Sequence, residues 1–224
     1  MTGFGEQQKS RKKSNKKSKL SKEEIISQAL NFHSQGKILE ASEYYQYFIN
    51  QGFQDHRIFS NYGLILIELG KLKEAEKNLR KAIKLNPYYF NDHKNLGSIL
   101  IQYGQLDEAK IETEKAIELK PDYAEAHYNL GVILKDLGKS QDAEVSTRKA
   151  IELKPDYVLA HLNLGNILRD LGNLQEAELS TRKAIELDPD NQIIKDNLLN
   201  LLNLLNHSHV VHIICHLVLA ASAS

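Results

Sequence analysis

Three histidines, His93, His127 and His161, recur at 34-residue intervals, and imidazole nitrogens are among the favoured protein ligands of zinc. The interval argues against a shared ion. Equivalent atoms in successive packed units lie ~8–10 Å apart, whereas ligand nitrogens must sit ~2 Å from one metal. These histidines are expected to pack between helices, each with a ring nitrogen bonded nearby. A second cluster, His207, His209, His212, Cys215 and His216, includes the i, i+4 pair His212 and His216, which would share one face of a helix. No acidic residue follows Asp196 to complete a site, and no metal is expected there. The recurring carboxylates Glu118, Glu152 and Glu186 sit in AIEL strings and read as solvated surface. A phosphate-binding glycine loop, a dinucleotide fingerprint, a nucleophile elbow and a His-Glu-x-x-His pair are all absent from the sequence. The chain is therefore expected to be a non-enzyme without a cofactor.

Asn61, Asn95, Asn129 and Asn163 also recur at 34-residue intervals. Each side-chain amide offers donors and an acceptor together, so a ladder of them can pair with the backbone of an extended peptide without demanding a particular sequence. Lys94, Ser98, Tyr128, Asn166 and Asp170 lie beside them in register and would tune preference. The plainer account is that these asparagines only cap or solvate a helix face.

The elements that must position these residues follow from the same period. Gly36, Gly70, Gly104, Gly138 and Gly172 are each 34 apart, as are Ala41, Ala75, Ala109, Ala143 and Ala177, and so are all four prolines, Pro87, Pro121, Pro155 and Pro189. Within the fourth unit, Leu130, Ile133, Leu134 and Leu137 keep helical spacing. Gly138 then supplies a left-handed stop, Ala143, Ala150, Ile151 and Leu153 resume the pattern, and Pro155 forbids its continuation. Each unit is thus expected to be an antiparallel helical hairpin, with Gly131 and Ala143 allowing its helices to approach closely. The units run 22–55, 56–89, 90–123, 124–157 and 158–191. Stacked, they predict an all-α fold, a right-handed α-solenoid whose first helices line a continuous concave groove.

The unit beginning at Ala124 carries a small residue at its eighth place, glycine at the fifteenth, alanine at the twentieth and twenty-seventh and proline at the thirty-second, namely Gly131, Gly138, Ala143, Ala150 and Pro155. In this the chain resembles the tetratricopeptide-repeat family. Its departures are Ile25, Phe59, His93, His127 and His161 at the fourth place, where the family usually has tryptophan. At the usually aromatic twenty-fourth place, Tyr45 and Leu79 give way to Thr113, Thr147 and Thr181. The string A-H-x-N-L-G-x-x-L looks most like the repeats that precede catalytic domains of protein O-glycosyltransferases, in which an asparagine ladder grips peptide. The carboxylate clamp of chaperone-tail binders is not expected. From the third unit its five places hold Lys94, Ser98, Asn129, Leu159 and Asn163, which lack the second cationic pair, and from the second they hold Ser60, Leu64, Asn95, Glu125 and Asn129. The resemblance implies a protein-protein interaction scaffold. The alternative it implies is the targeting portion of a transferase, a glycosyltransferase before a sulfotransferase or methyltransferase, whose catalytic domain is absent from this chain.

The two ends differ from the repeats. Eight basic residues lie between Lys9 and Lys22 and Glu6 is the sole acid among the first 22, so the remainder holds 21 basic and 28 acidic residues. Residues 1–21 are expected to be a disordered, solvated tail; contact of residues 9–22 with nucleic acid or an anionic membrane is the lesser expectation. With Cys215 as the single cysteine and no apolar run behind the basic segment, the expected location is the cytoplasm. Residues 192–205 read as another first helix, Asn206 as a turn residue standing for glycine, and 208–221 as a degenerate second helix, so 192–224 would cap the array. The apolar arc of Leu198, Leu199, Leu201, Leu202, Leu204 and Leu205 is wider than one packing face needs. Its cover is expected to be residues 210–221, a partner subunit through 192–221, or a further domain.

Overall fold

A computed structural model describes residues 20–206. Among the described residues there are eleven α-helices and no strand. These are α1 (Lys22–Ser34), α2 (Ile38–Asn50), α3 (His56–Glu68), α4 (Leu72–Leu85), α5 (Phe90–Gln102), α6 (Leu106–Leu119), α7 (Ala124–Asp136), α8 (Ser140–Leu153), α9 (Val158–Asp170) and α10 (Leu174–Leu187), followed by α11 (192–206). The described residues divide into two compact units, the division falling between Leu96 and Gly97 within α5. The basic run 9–19 and the histidine and cysteine cluster 207–216 lie outside the described residues. No helix among those described is long and apolar enough to cross a membrane.

Local chemistry sets the helix limits. Ser21 opens α1 with a reciprocal cap: its Oγ accepts from the Glu24 amide at 3.2 Å, and its own amide donates to the Glu24 carboxylate at 2.7 Å. Between α7 and α8, Gly138 takes φ 74°, a conformation costly for any residue with a Cβ. The chain there closes with Lys139 N donating to Leu134 O at 2.8 Å, which satisfies one of the helix's orphan carbonyls. The second helices end differently. Lys120 and Lys154, which precede Pro121 and Pro155, adopt φ −143° and −142°, because the ring of a following proline disfavours helical backbone.

Within each hairpin, the eighth place packs on the twenty-fourth. A Cβ on Gly131 would stand 2.2 Å from Thr147 Oγ1 and 3.3 Å from the Ala143 carbonyl oxygen, so the backbone approach is closed to any larger residue. Gly97 and Gly165 meet Thr113 and Thr181 in the same way, whereas Gly63 meets Leu79. The first unit buries large rings, Tyr45, Phe48, Phe59 and Tyr62. The second builds smaller clusters, Leu134, Ala143 and Ile167 in one and Leu164, Leu168, Ala177 and Leu201 in another.

Helix α11 packs through Ile194, Leu201 and Leu205, all buried, while Leu199 is 59% and Leu204 46% exposed. Part of the wide apolar arc therefore stays uncovered among the described residues. Asn206 is not a left-handed turn residue: α11 runs through 206, and only glycines among the described residues have positive φ.

Candidate functional site

The four ladder asparagines sit on the first helices α3, α5, α7 and α9, but the amides of Asn61, Asn129 and Asn163 are held in three different ways. Asn61 Nδ2 donates to the Arg57 carbonyl of its own helix at 2.8 Å. Asn95 is buried, 6% exposed. Asn129 Nδ2 donates to Ser98 Oγ at 2.9 Å and Asn163 Nδ2 to Thr147 Oγ1 at 3.2 Å. The difference in the last two has a sequence cause. The residue equivalent to Ser98 one unit on is Val132, which offers no acceptor, so Asn163 turns to the threonine hydroxyl instead. Among the described residues, Oδ1 of Asn61, Asn129 and Asn163 accepts no hydrogen bond, leaving an acceptor held in place on each.

The neighbouring candidates are only partly available to a ligand. Ser98 is engaged as the acceptor for Asn129. Asp170 pairs with Lys135 at 3.5 Å and Arg169 at 3.1 Å. The Tyr128 ring lies against Tyr157, centroids 5.1 Å apart, and burial pushes its hydroxyl pKa up, so the phenol stays a neutral donor. Lys94 and Asn166 are half-buried on the same helices.

The histidines have a shared structural task. His93, His127 and His161 place Nε2 at 2.9, 2.8 and 2.8 Å from the carbonyl oxygens of Pro87, Pro121 and Pro155, tying the exit of one hairpin to the first helix of the next. Glu118, Glu152 and Glu186 are exposed and pair with Lys115, Lys149 and Lys183 three residues earlier. Among the described residues no group of three His, Cys, Asp or Glu side chains could hold a metal ion.

One buried polar pair was not anticipated from the sequence. Asp92 on α5 is wholly buried; Ser60 Oγ on α3 donates to its Oδ1, and Oδ2 has no hydrogen-bond partner. Burial raises its pKa to about 6, against the lowering effects of the Ser60 bond and of His93. The signal was present: the equivalent residues Ile58, Ala126, Ala160 and Ile194 are apolar, and only Glu24 of the first repeat is also acidic.

Comparison with known proteins bears on the fold and the family. Family models described as tetratricopeptide repeat match residues 56–89, 124–157 and 158–191, and a TPR repeat model matches 97–138. No curated protein matches the sequence. Among solved structures, MamA 41-end from Desulfovibrio magneticus is 22% identical, covering 76% of this chain and 97% of that one, with TM-score 0.67. A tetratricopeptide repeat protein from Parabacteroides merdae is 22% identical over 83% of this chain and 73% of its own, with TM-score 0.68. A thermophilic TPR protein of Thermus thermophilus is 20% identical over 81% and 99%, with TM-score 0.60. At these identities the likeness concerns the fold alone. With family models spanning 56–89 and all of 97–191, more than half its length, the chain belongs to the tetratricopeptide-repeat family.

Proposed function

We propose that this protein is a non-catalytic, cytoplasmic scaffold that binds extended polypeptide segments along the first-helix face of its repeats. The observation that carries the reading is the set of oriented amides. Asn61, Asn129 and Asn163 each have Nδ2 tied internally while Oδ1 remains an unused acceptor. A peptide backbone N–H supplies the matching donor, and the bond is independent of the peptide's side chains. Tyr128, Lys94, Asn166 and Asp170 border these positions and would bias the choice of segment.

A pull-down or peptide-array comparison of wild type with the combined Asn61→Ala, Asn129→Ala and Asn163→Ala variant tests the reading, with circular dichroism confirming that the variant is folded. Binding is expected to fall about tenfold or more, since each lost hydrogen bond is worth ~0.5–1.5 kcal/mol. The Asn129→Asp and Asn163→Asp variants, which keep the acceptor, should retain more binding than the alanines. Binding unchanged by the triple substitution sinks the ladder. A second reading, the targeting portion of a transferase of the O-glycosyltransferase kind, draws support from the exposed Leu199 and Leu204 on α11, an apolar face suited to a further domain.

A further inference from the structure

We propose that the cleft between α2, α3 and α4 is a second docking site, distinct from the asparagine face, that takes an acidic, amphipathic segment of a partner protein. The cleft is about 530 Å³ in volume, with Ile49, Phe59 and Tyr62 among its apolar lining and a rim of Lys77, Arg80, Lys81 and Lys84 facing the single acid Glu74. None of the ladder asparagines lines it.

Equivalent clefts in the second unit show what is unusual here. One sets Arg148 and Lys149 against Glu114 and Glu152, and the next sets Arg148 and Lys183 against Glu152 and Glu176. Both are balanced in charge. They are also internally paired: Lys149 holds Glu152 at 2.7 Å, Lys183 holds Glu186 at 2.8 Å, and Arg148 joins Glu144 and Glu176. In α4 the residue aligned with Glu152 is Lys84, and Lys77 replaces Val145. The i, i+3 ion pair thus becomes a repulsion between Lys81 and Lys84, and Lys77 adds a further like charge four residues before Lys81. Such spacing weakens a helix. Arg80 is engaged by Glu76 at 2.9 Å and Lys81 lies 6.0 Å from the centre of the Phe59 ring, but no ion pair is formed by Lys77 or Lys84 among the described residues.

Uncompensated cations beside an apolar floor define the occupant. Carboxylates would neutralise Lys77 and Lys84, while an apolar side chain three or four residues away on the same partner helix would cover Phe59 and Ile49. The chain's own basic run between Lys9 and Lys22 is repelled from such a rim. A nucleic acid or anionic membrane would bring phosphates against Glu74 and would leave the apolar floor unfilled.

The test uses the full chain and fluorescence anisotropy with a labelled peptide of glutamate, leucine and phenylalanine patterned as an amphipathic helix. Its glutamine counterpart, polyuridine RNA and phosphatidylserine vesicles serve as competitors. The variant Lys77→Val with Lys84→Glu gives α4 the residues that α8 carries at these places, so its fold is expected to survive, as circular dichroism would verify. The expected result is that the acidic peptide binds, the glutamine peptide does not, and the double variant loses about tenfold or more in affinity. The Asn61, Asn129 and Asn163 triple alanine variant is expected to bind this peptide normally, which separates this site from the asparagine face. Equal binding of both peptides, an unaffected double variant, or an equal loss on Lys149→Glu in the balanced cleft would overturn the proposal. So would displacement of the peptide by RNA or vesicles through the same lysines, or a wild-type self-association in sedimentation that the double variant abolishes.

Discussion

Replacing Asp92 by asparagine should stabilise the first unit at neutral pH and remove a pH dependence that the wild type shows. The carboxyl is fully buried with one oxygen unpartnered, and its pKa is raised to about 6, roughly two units above that of an exposed aspartate. The folded state therefore holds this proton more tightly than the unfolded chain does. Below about pH 4 the carboxyl is neutral in both states and its burial carries no charge penalty. As pH rises through about 4 to 6 the unfolded chain loses the proton first, and stability falls. At pH 7 and above the accumulated loss is about 3 kcal/mol, at ~1.4 kcal/mol per unit. Asparagine keeps an oxygen for the Ser60 hydroxyl and has nothing to ionise. It buries an amide hydrogen with no assigned acceptor, which costs about 1 kcal/mol, so the net gain at pH 7.5 should be about 2 kcal/mol. Urea unfolding followed by circular dichroism at pH 4, 5.5 and 7.5, with the variant measured beside the wild type, isolates this group because all other titrations cancel in the difference. A variant-minus-wild-type difference that stays constant from pH 4 to 7.5 would refute the reasoning.

Gly131→Ala should destabilise the protein by about 1–3 kcal/mol through the contact with Thr147 Oγ1, and adding Thr147→Ala should recover most of it in the same unfolding experiment. Leu201→Ala, at a site only 3% exposed and packed on Leu164, Leu168 and Ala177, should cost about 2–5 kcal/mol. Because repeats couple chiefly to their nearest neighbours, amide exchange should quicken most in α9, α10 and α11 and least in α3.

The sequence made the hairpins legible because their determinants are local and repeated. Gly138 and Pro155 act through their own backbone, and a 34-residue period exposes every copy at once. What stayed hidden depends on juxtaposition. The departure of Asp92 from Ile58 and Ala126 was visible, but nothing in a linear pattern pairs it with Ser60, which reaches it only when α3 lies against α5. The asparagine ladder was legible as a ladder, yet the differing partners of Asn129 and Asn163 follow from Ser98 and Val132, residues outside the repeat's signature positions. The glycine at the eighth place and the threonine at the twenty-fourth each departed from or matched the family pattern separately; their contact, 16 residues apart in sequence, required the hairpin to be closed. The basic cleft was missed for a related reason. Lys77 and Lys84 look unremarkable in a lysine-rich helix until the paired lysines of the equivalent helices show what they lack.

The bonds from histidine to proline carbonyl behave unlike the aspartate. Each is made through Nε2 toward an acceptor that has no proton of its own to give, so the ring must donate. A neutral imidazole protonated on Nε2 donates there, and so does an imidazolium. The link between one hairpin's exit and the next hairpin's entry therefore survives acidification, and the three joints would hold their spacing while Asp92 changes charge. Carboxylate pairs between hairpins, such as Lys135 with Asp170 and Arg148 with Glu176, lose their charge in acid; the histidine bonds do not depend on it.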